Sequence, residues 1–425
     1  MIAFRRADFA RVSLHLAPVC VGLALSSGYA VGIATAMFMP ALCLRVQSRR
    51  ESYVSALSYY AGALWPLIPG ASNFFGPSTS ILVALALWGV SATLLALPWL
   101  LVWSVNTKQA LWRAPVGLLL TVIPPLGIIG WASPLTAAGF LFPATGWCGL
   151  LGCALLTGAL APWPKQAVIA IAVVSVIANL THPADPRPPA DWLAIDTHFG
   201  SIAHRTPGPL AEYRAAEAIQ QRALSAQAPV IVFPETVVPY WTASTDEFWQ
   251  PTLAALRVSG KTILIGARIP RSSIAPGPCY DFSTELAALR DTPVRALTIG
   301  SVDKSSWSPA YFNGIVIRGA EFGTFAQRIP VPIAMWNPFR PASAPINVAG
   351  PGVLPISGER AAILICYEQL ILWPVVTSML QNPTVLIAVA NDYWAAGTPI
   401  MRFQAAAVRS WAWLFGIPYL VAVNT

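Results

Sequence analysis

The sequence predicts two parts of different fold class, a polytopic α-helical membrane domain followed by an α/β domain. Three observations carry this. Of the 425 residues, 56% are hydrophobic and only 10% are charged, whereas a soluble domain carries about 25% charged residues. The charges are also unevenly placed. No Asp, Glu, Lys or Arg occurs between Arg11 and Arg45, between Glu51 and Lys108, or between Arg113 and Lys165. After Asp185 charged residues become ordinary, and short apolar runs alternate with stretches of helical periodicity, the pattern of strands interleaved with helices.

A membrane span needs roughly 20 apolar residues, and each charge-free block is long enough for a hairpin of two. The blocks turn near Ser26-Ser27-Gly28, between Pro69 and Ser78, and near Ser133-Pro134. The first is tight for two spans, so a re-entrant segment is the alternative there. A further span at 166–180 completes about seven transmembrane helices within residues 1–182. The Pro-rich stretch 183–190 reads as a stiff linker, and 191–425 as the α/β domain.

The net charge of +8 invites a nucleic-acid reading, but Arg45, Arg49, Arg50, Lys108, Arg113 and Lys165 all lie between the hydrophobic blocks. Basic loops stay in the cytoplasm, so the charge predicts orientation and no direct nucleic-acid partner. An odd number of spans from an inside N-terminus puts the domain on the periplasmic side of a bacterial inner membrane. The lipid bilayer is thus the first expected partner. A transporter is disfavoured, because the charge-free blocks contain no Asp, Glu, Lys or Arg to form an ion or substrate site.

Four of six cysteines (Cys20, Cys43, Cys148, Cys153) lie in hydrophobic blocks, and only Cys279 and Cys366 lie in the domain, so this is not a disulfide scaffold. No zinc spacing, phosphate-binding Gly-Lys-Ser/Thr loop or Gly-x-Ser-x-Gly elbow is present. No cofactor or metal is expected.

Within the domain, 192–195 reads as a strand and 209–226 as a helix. Val230-Ile231-Val232-Phe233 is a buried strand ending at Glu235, followed by a helix at 246–258. Further strands are expected at 262–266, 311–317, 361–365, 384–390 and 419–423, with helices at 370–380 and 404–415. The run Ala361 to Ile365 is apolar throughout and ends at Cys366, just before the helical run. A helix N-terminus there would stabilise a thiolate; a buried structural cysteine is an equal reading of that residue alone. Two buried strands, one ending in a carboxylate and one in a thiol, suggest a base and a nucleophile at the same end of adjacent strands.

Phe233-Pro234-Glu235, Ile365-Cys366-Tyr367-Glu368 and Ala390-Asn391-Asp392-Tyr393-Trp394, in that order, resemble the carbon-nitrogen hydrolase (nitrilase) superfamily. With the membrane half before them they resemble the apolipoprotein N-acyltransferases and, more closely, the TraB family of conjugal transfer proteins. The resemblance implies a nitrilase-like αββα sandwich and a Glu-Lys-Cys triad, with Glu235 the base and Cys366 the nucleophile. Tyr311-Phe312-Asn313 resembles the strand before the family's Lys, yet Gln327 stands in the Lys position with Arg328 beside it. Met335 stands where the acyltransferase has a further Glu. Adjacent side chains of an extended segment point to opposite faces, so Gln327 rather than Arg328 is the candidate donor to the oxyanion. The implied function is amidase or N-acyltransferase-like thioester chemistry on an acyl-donor lipid or a peptide or lipoprotein substrate, within the conjugation machinery. The alternative is a catalytically inactive scaffold in that machinery.

Overall fold

The computed structural model describes residues 6–76, 80–182, 185–200, 209–271, 310–340 and 343–425, with 6–15 and 209–211 described by their backbone only. Cys279 and the first two linker residues lie outside the described residues. The chain clusters into two compact units, neither of them one continuous stretch. The first comprises Met1–Arg187, Gln369–Leu386 and Trp394–Tyr419; the second comprises Pro188–Glu368, Ile387–Tyr393 and Leu420–Thr425.

In the first unit two of the described helices are long and apolar enough to cross a membrane, Ile81–Val102 and Pro164–Thr181. Both expose apolar side chains, among them Leu82, Val90 and Leu101 on one and Ile169, Val176 and Leu180 on the other. This differs from the seven spans expected. The first block breaks after Ser26 at Gly28, which takes a left-handed φ of 74°, and resumes as the short helices Ala30–Thr35 and Met39–Leu44. The next helix, Arg49–Leu64, is capped by Ser48, whose Oγ accepts from the Glu51 amide at 3.2 Å. It therefore opens on three charged residues. Helix Ala110–Val122 stops before Pro124 and Pro125, because proline lacks the N–H that would continue it. Absence of charge over a block does not ensure a continuous helix when proline and glycine interrupt it.

These helices pack backbone to backbone. A Cβ on Gly22 would lie 2.2 Å from the Tyr59 carbonyl oxygen, and one on Gly62 would lie 2.6 Å from that of Val19. Small residues at such crossings let the two backbones approach closely. Two buried hydroxyls bridge neighbouring elements: Ser52 Oγ donates to the Trp99 carbonyl at 3.1 Å and Tyr59 Oη to that of Ala132 at 2.9 Å. The late helix Ile400–Phe415 belongs to this unit, with Ser410 Oγ donating to the Thr136 carbonyl at 2.5 Å.

The second unit is α/β. Its larger sheet contains β1 (Trp192–Ala194), β2 (Val230–Val232), β3 (Val238–Tyr240), β4 (Thr262–Pro270), β5 (Tyr311–Gly319) and β6 (Gly323–Ala326). The order is β1-β2-β4-β5-β6, with β3 also pairing β4. Strands β1, β2 and β4 pair in parallel; β5 and β6 follow antiparallel. The second sheet has the order β10-β9-β8-β7, from β7 (Val353–Ile356), β8 (Glu359–Ile365), β9 (Val385–Asn391) and β10 (Tyr419–Asn424). Strands β3, β6 and β7, three or four residues each, had no expectation attached, since so short a run carries no measurable period.

Period-2 alternation on β4 decides the layers. Ile263, Ile265, Ala267 and Ile269 face the core, where they pack with Ile219 of helix Pro209–Ser225 and Trp249, Leu253 and Leu256 of helix Ala243–Val258. Leu264, Gly266 and Arg268 therefore face the other way. That opposite face carries the candidate site.

Candidate active site

Glu235 lies just past the end of β2, in a turn where Thr236 takes a φ of 52°. The turn presses onto β4 at Gly266. A Cβ there would lie 2.2 Å from the Pro234 carbonyl oxygen, 2.4 Å from Glu235 Cα and 2.6 Å from the Thr236 nitrogen. Only glycine permits that approach, and it fixes the place of the carboxylate.

Cys366 lies just past the end of β8 with a φ of 48°, opening a single turn of 3-10 helix, Cys366–Gln369. A left-handed conformation at a non-glycine residue costs about 1–2 kcal/mol, and Glu368 supports it. Glu368 Oε2 accepts from the Ile365 amide at 3.0 Å, and Oε1 accepts from the amides of Arg328 at 2.9 Å and Ile329 at 3.2 Å. Arg328 Nε lies 3.3 Å from the same oxygen. A fully buried carboxylate with three amides and a guanidinium around it ties the cysteine turn to the segment after β6.

Thiol and carboxylate meet. The Glu235 carboxylate and the Cys366 thiol are neighbours that influence each other's ionisation, and the Asn391 amide, which donates to Glu235 Oε2 at 2.9 Å, also bears on the sulfur. Both residues are nearly inaccessible, 4% and 3% exposed. They come from strands of the two different sheets, not from adjacent strands of one. Burial raises the Glu235 pKa, opposed by hydrogen bonds from Asn313, Cys366 and the Asn391 amide and by the charge of Arg268. The Cys366 pKa is pushed well above its ordinary value, first by burial and then by the Glu235 and Asp392 charges. The expectation of a thiolate stabilised by a helix N-terminus is thus corrected: the helix, Leu372–Met379, begins six residues past Cys366. Burial and both charges favour the protonated sulfur. A carboxylate whose own basicity has been raised is better matched to removing its proton.

Gln327, directly after β6, is held on three sides. Its amide N–H donates to the Asn313 carbonyl at 2.8 Å, Oε1 accepts from Asn313 Nδ2 at 2.8 Å, and Nε2 donates to the Ile365 carbonyl at 2.9 Å. Asn313 Nδ2 also donates to Glu235 Oε1 at 2.6 Å, and Asn313 Oδ1 accepts from Thr236 Oγ1 at 3.2 Å. The chain of contacts Glu235–Asn313–Gln327–Ile365 thus spans both sheets and ends one residue before the cysteine. Both ends of the Gln327 side-chain amide are thus engaged by protein.

No family model matches the sequence. A curated relative from Agrobacterium fabrum, the conjugal transfer protein TraB, is 31% identical over 432 residues, covering 97% of this chain and 92% of its own. The chain belongs to the TraB family of conjugal transfer proteins. A TraB protein of Sinorhizobium fredii is 28% identical, with 97% of each chain covered. Among solved structures, an amidase from Nesterenkonia sp. AN1, carrying a covalent adduct at its active-site cysteine, overlaps 55% of this chain and 74% of its own. The identity is 13% and the TM-score 0.35. A second form of that amidase, described as of the nitrilase superfamily, gives 14% identity and a TM-score of 0.33 over 57% of this chain and 78% of its own.

This TraB-family site contains two residues to which the sequence assigned no role, Asn313 and Arg268. The signal for Asn313 was an amide inside an otherwise apolar strand, since a buried polar side chain needs partners. Arg328, adjacent to Gln327, turns away to Glu368 as the extended-chain argument requires. Lys261 is structural: its Nζ donates to the carbonyls of Leu224 at 3.1 Å and Ala226 at 2.6 Å, closing the end of the helix Pro209–Ser225.

Proposed function

We propose that this TraB-family chain is a membrane-bound thiol enzyme of the carbon-nitrogen hydrolase type, performing amide cleavage or N-acyl transfer. The observation that carries this is the buried Cys366 thiol set beside the Glu235 carboxylate, on an elbow strained into the left-handed region. Glu235 takes the thiol proton as sulfur attacks a carbonyl carbon. The carbon–leaving-group bond then breaks, the proton passes from Glu235 to the leaving group, and a thioester remains. Water or an amine, deprotonated by Glu235, attacks the thioester, and the proton returns to sulfur as product leaves. The Asn391 amide, bearing on both reacting groups, keeps them aligned.

The helices Ile81–Val102 and Pro164–Thr181 support placement in a bacterial inner membrane with more than one crossing. Lys108 follows the first helix and Lys165 opens the second, so the positive-inside rule puts those ends in the cytoplasm and the chain after Thr181 in the periplasm. The names of the relatives support a place in the conjugation machinery.

One observation favours a second reading, a scaffold without turnover. Gln327 stands where the resembling enzymes carry Lys, and its amide is already occupied by Asn313 and Ile365, leaving the oxyanion without that cation. Conjugal transfer frequency with Cys366→Ala, at matched protein level, tests the two. Loss of transfer supports the enzyme. Wild-type transfer removes any required thioester and leaves the scaffold.

A further inference from the structure

We infer that Arg268 is an anion-recognition residue of this site, selecting acyl substrates that bear a carboxylate or phosphate near the scissile carbonyl. The inference deepens the proposed thiol chemistry and rests on it. Arg268 stands on the face of β4 that carries Gly266, two residues beyond the point where the Glu235 turn presses on the strand. It pairs with Tyr240 on β3 and lies directly opposite Asn313 on β5. Asn313 is the donor to Glu235 at 2.6 Å. Tyr311, two residues before Asn313 on the same face, completes the group.

The guanidinium carbon lies 5.7 Å from the Tyr240 ring centroid and 5.0 Å from that of Tyr311, and the two rings meet edge to face at 83°. Such aromatic contacts steady a guanidinium without consuming its N–H groups, which form a fork matched to an oxyanion. Among the described residues no carboxylate lies within salt-bridge distance of Arg268. Arg328 is paired with Glu368 and Arg318 with Asp246. Exposure rises from the thiol outward. Cys366, Glu235, Asn313 and Gln327 are buried, whereas Tyr240, Arg268 and Tyr311 are half-buried. A substrate approaching along this face therefore meets the guanidinium before the sulfur. An anionic substrate also needs it, because Glu235 must ionise to act as base and would otherwise repel a second negative charge. The charge of Arg268 already bears on both Glu235 and Tyr311.

The test is alkylation of Cys366 in the full-length protein, read by mass spectrometry of the cysteine peptide. Three probes are compared: N-iodoacetylglycine, its neutral amide, and N-iodoacetylethanolamine phosphate. Sulfur displaces iodide and the thiol proton passes to Glu235. In wild type the anionic probes should react about tenfold faster than the amide, the size of one charge-assisted contact. The faster of the two names the anion, carboxylate or phosphate. The anionic-to-neutral ratio should fall towards one in Arg268→Gln; using a ratio cancels any change in Glu235 basicity common to all probes. Should that variant fail to fold, the wild-type ratio should still shrink as salt rises from about 0.05 to about 0.5 M. A ratio unchanged by Arg268→Gln, or a wild-type ratio near one, overturns the assignment of Arg268 and leaves the thiol chemistry standing. If no probe reaches Cys366 in the folded protein while all label it after unfolding, the nucleophile reading falls and this inference with it.

Discussion

Asn313 Nδ2 donates to Glu235 Oε1 at 2.6 Å and, from the same nitrogen, to Gln327 Oε1 at 2.8 Å. One amide group thus stabilises the ionised form of Glu235 and links it to the segment that reaches the cysteine strand. Removing it by Asn313→Leu withdraws a contact that lowers the Glu235 pKa, so that pKa should rise. The pH profile of Cys366 alkylation should shift to higher pH, with a lower rate at neutrality. A profile that moves to lower pH would contradict the role given to Asn313.

Gln327→Leu leaves Asn313 and the Ile365 carbonyl each short of a partner in a buried setting. The expected cost is about 1–3 kcal/mol, read from the unfolding midpoint in detergent. Gln327→Lys should act differently: a cation in the network favours ionised Glu235 and a developing oxyanion, so alkylation at neutral pH should be equal to wild type or faster. A slower Gln327→Lys protein of unchanged stability would sink the oxyanion argument.

Gly266→Ala puts a methyl group 2.2 Å from the Pro234 carbonyl oxygen. The Glu235 turn must move away from β4, at about 1–3 kcal/mol for overpacking. Thiol alkylation should slow more than Gly314→Ala slows it, since Gly314 meets the Phe325 carbonyl instead. Equal effects from the two would show that the turn tolerates displacement.

The Cys366 pKa in the fold stands well above its ordinary 9.0. A raised pKa means that the fold favours the protonated form, so this stabilisation is full below the ordinary value and is lost as pH rises through the raised one. The wild-type-minus-Cys366→Ala difference in unfolding midpoint should therefore decline above about pH 9. An increase there would place the sulfur in a setting that favours the thiolate.

Reporter fusions check orientation. A fusion after Lys165 should report from the cytoplasm and one after Pro189 from the periplasm. Cytoplasmic signal from both would remove the periplasmic assignment.

Local pattern was sufficient for much of the α/β unit. The strands ending at Glu235 and Cys366 are runs of consecutive buried apolar residues, and the helices Pro209–Ser225 and Ala243–Val258 lie within a few residues of the periodic stretches. Such elements declare themselves because each buries its own apolar face. Charge-free length was a poorer guide to helix continuity, as the breaks at Gly28 and before Pro124 show; backbone hydrogen bonding, not hydropathy, decides where a helix ends. The site needed tertiary contacts. No sequence pattern links Asn313 to both Glu235 and Gln327, separated from it by 78 and 14 positions. Nor does any pattern set Arg268 beside Tyr240 and Tyr311. Those neighbours come from strand register, and register follows from which faces two sheets bury together.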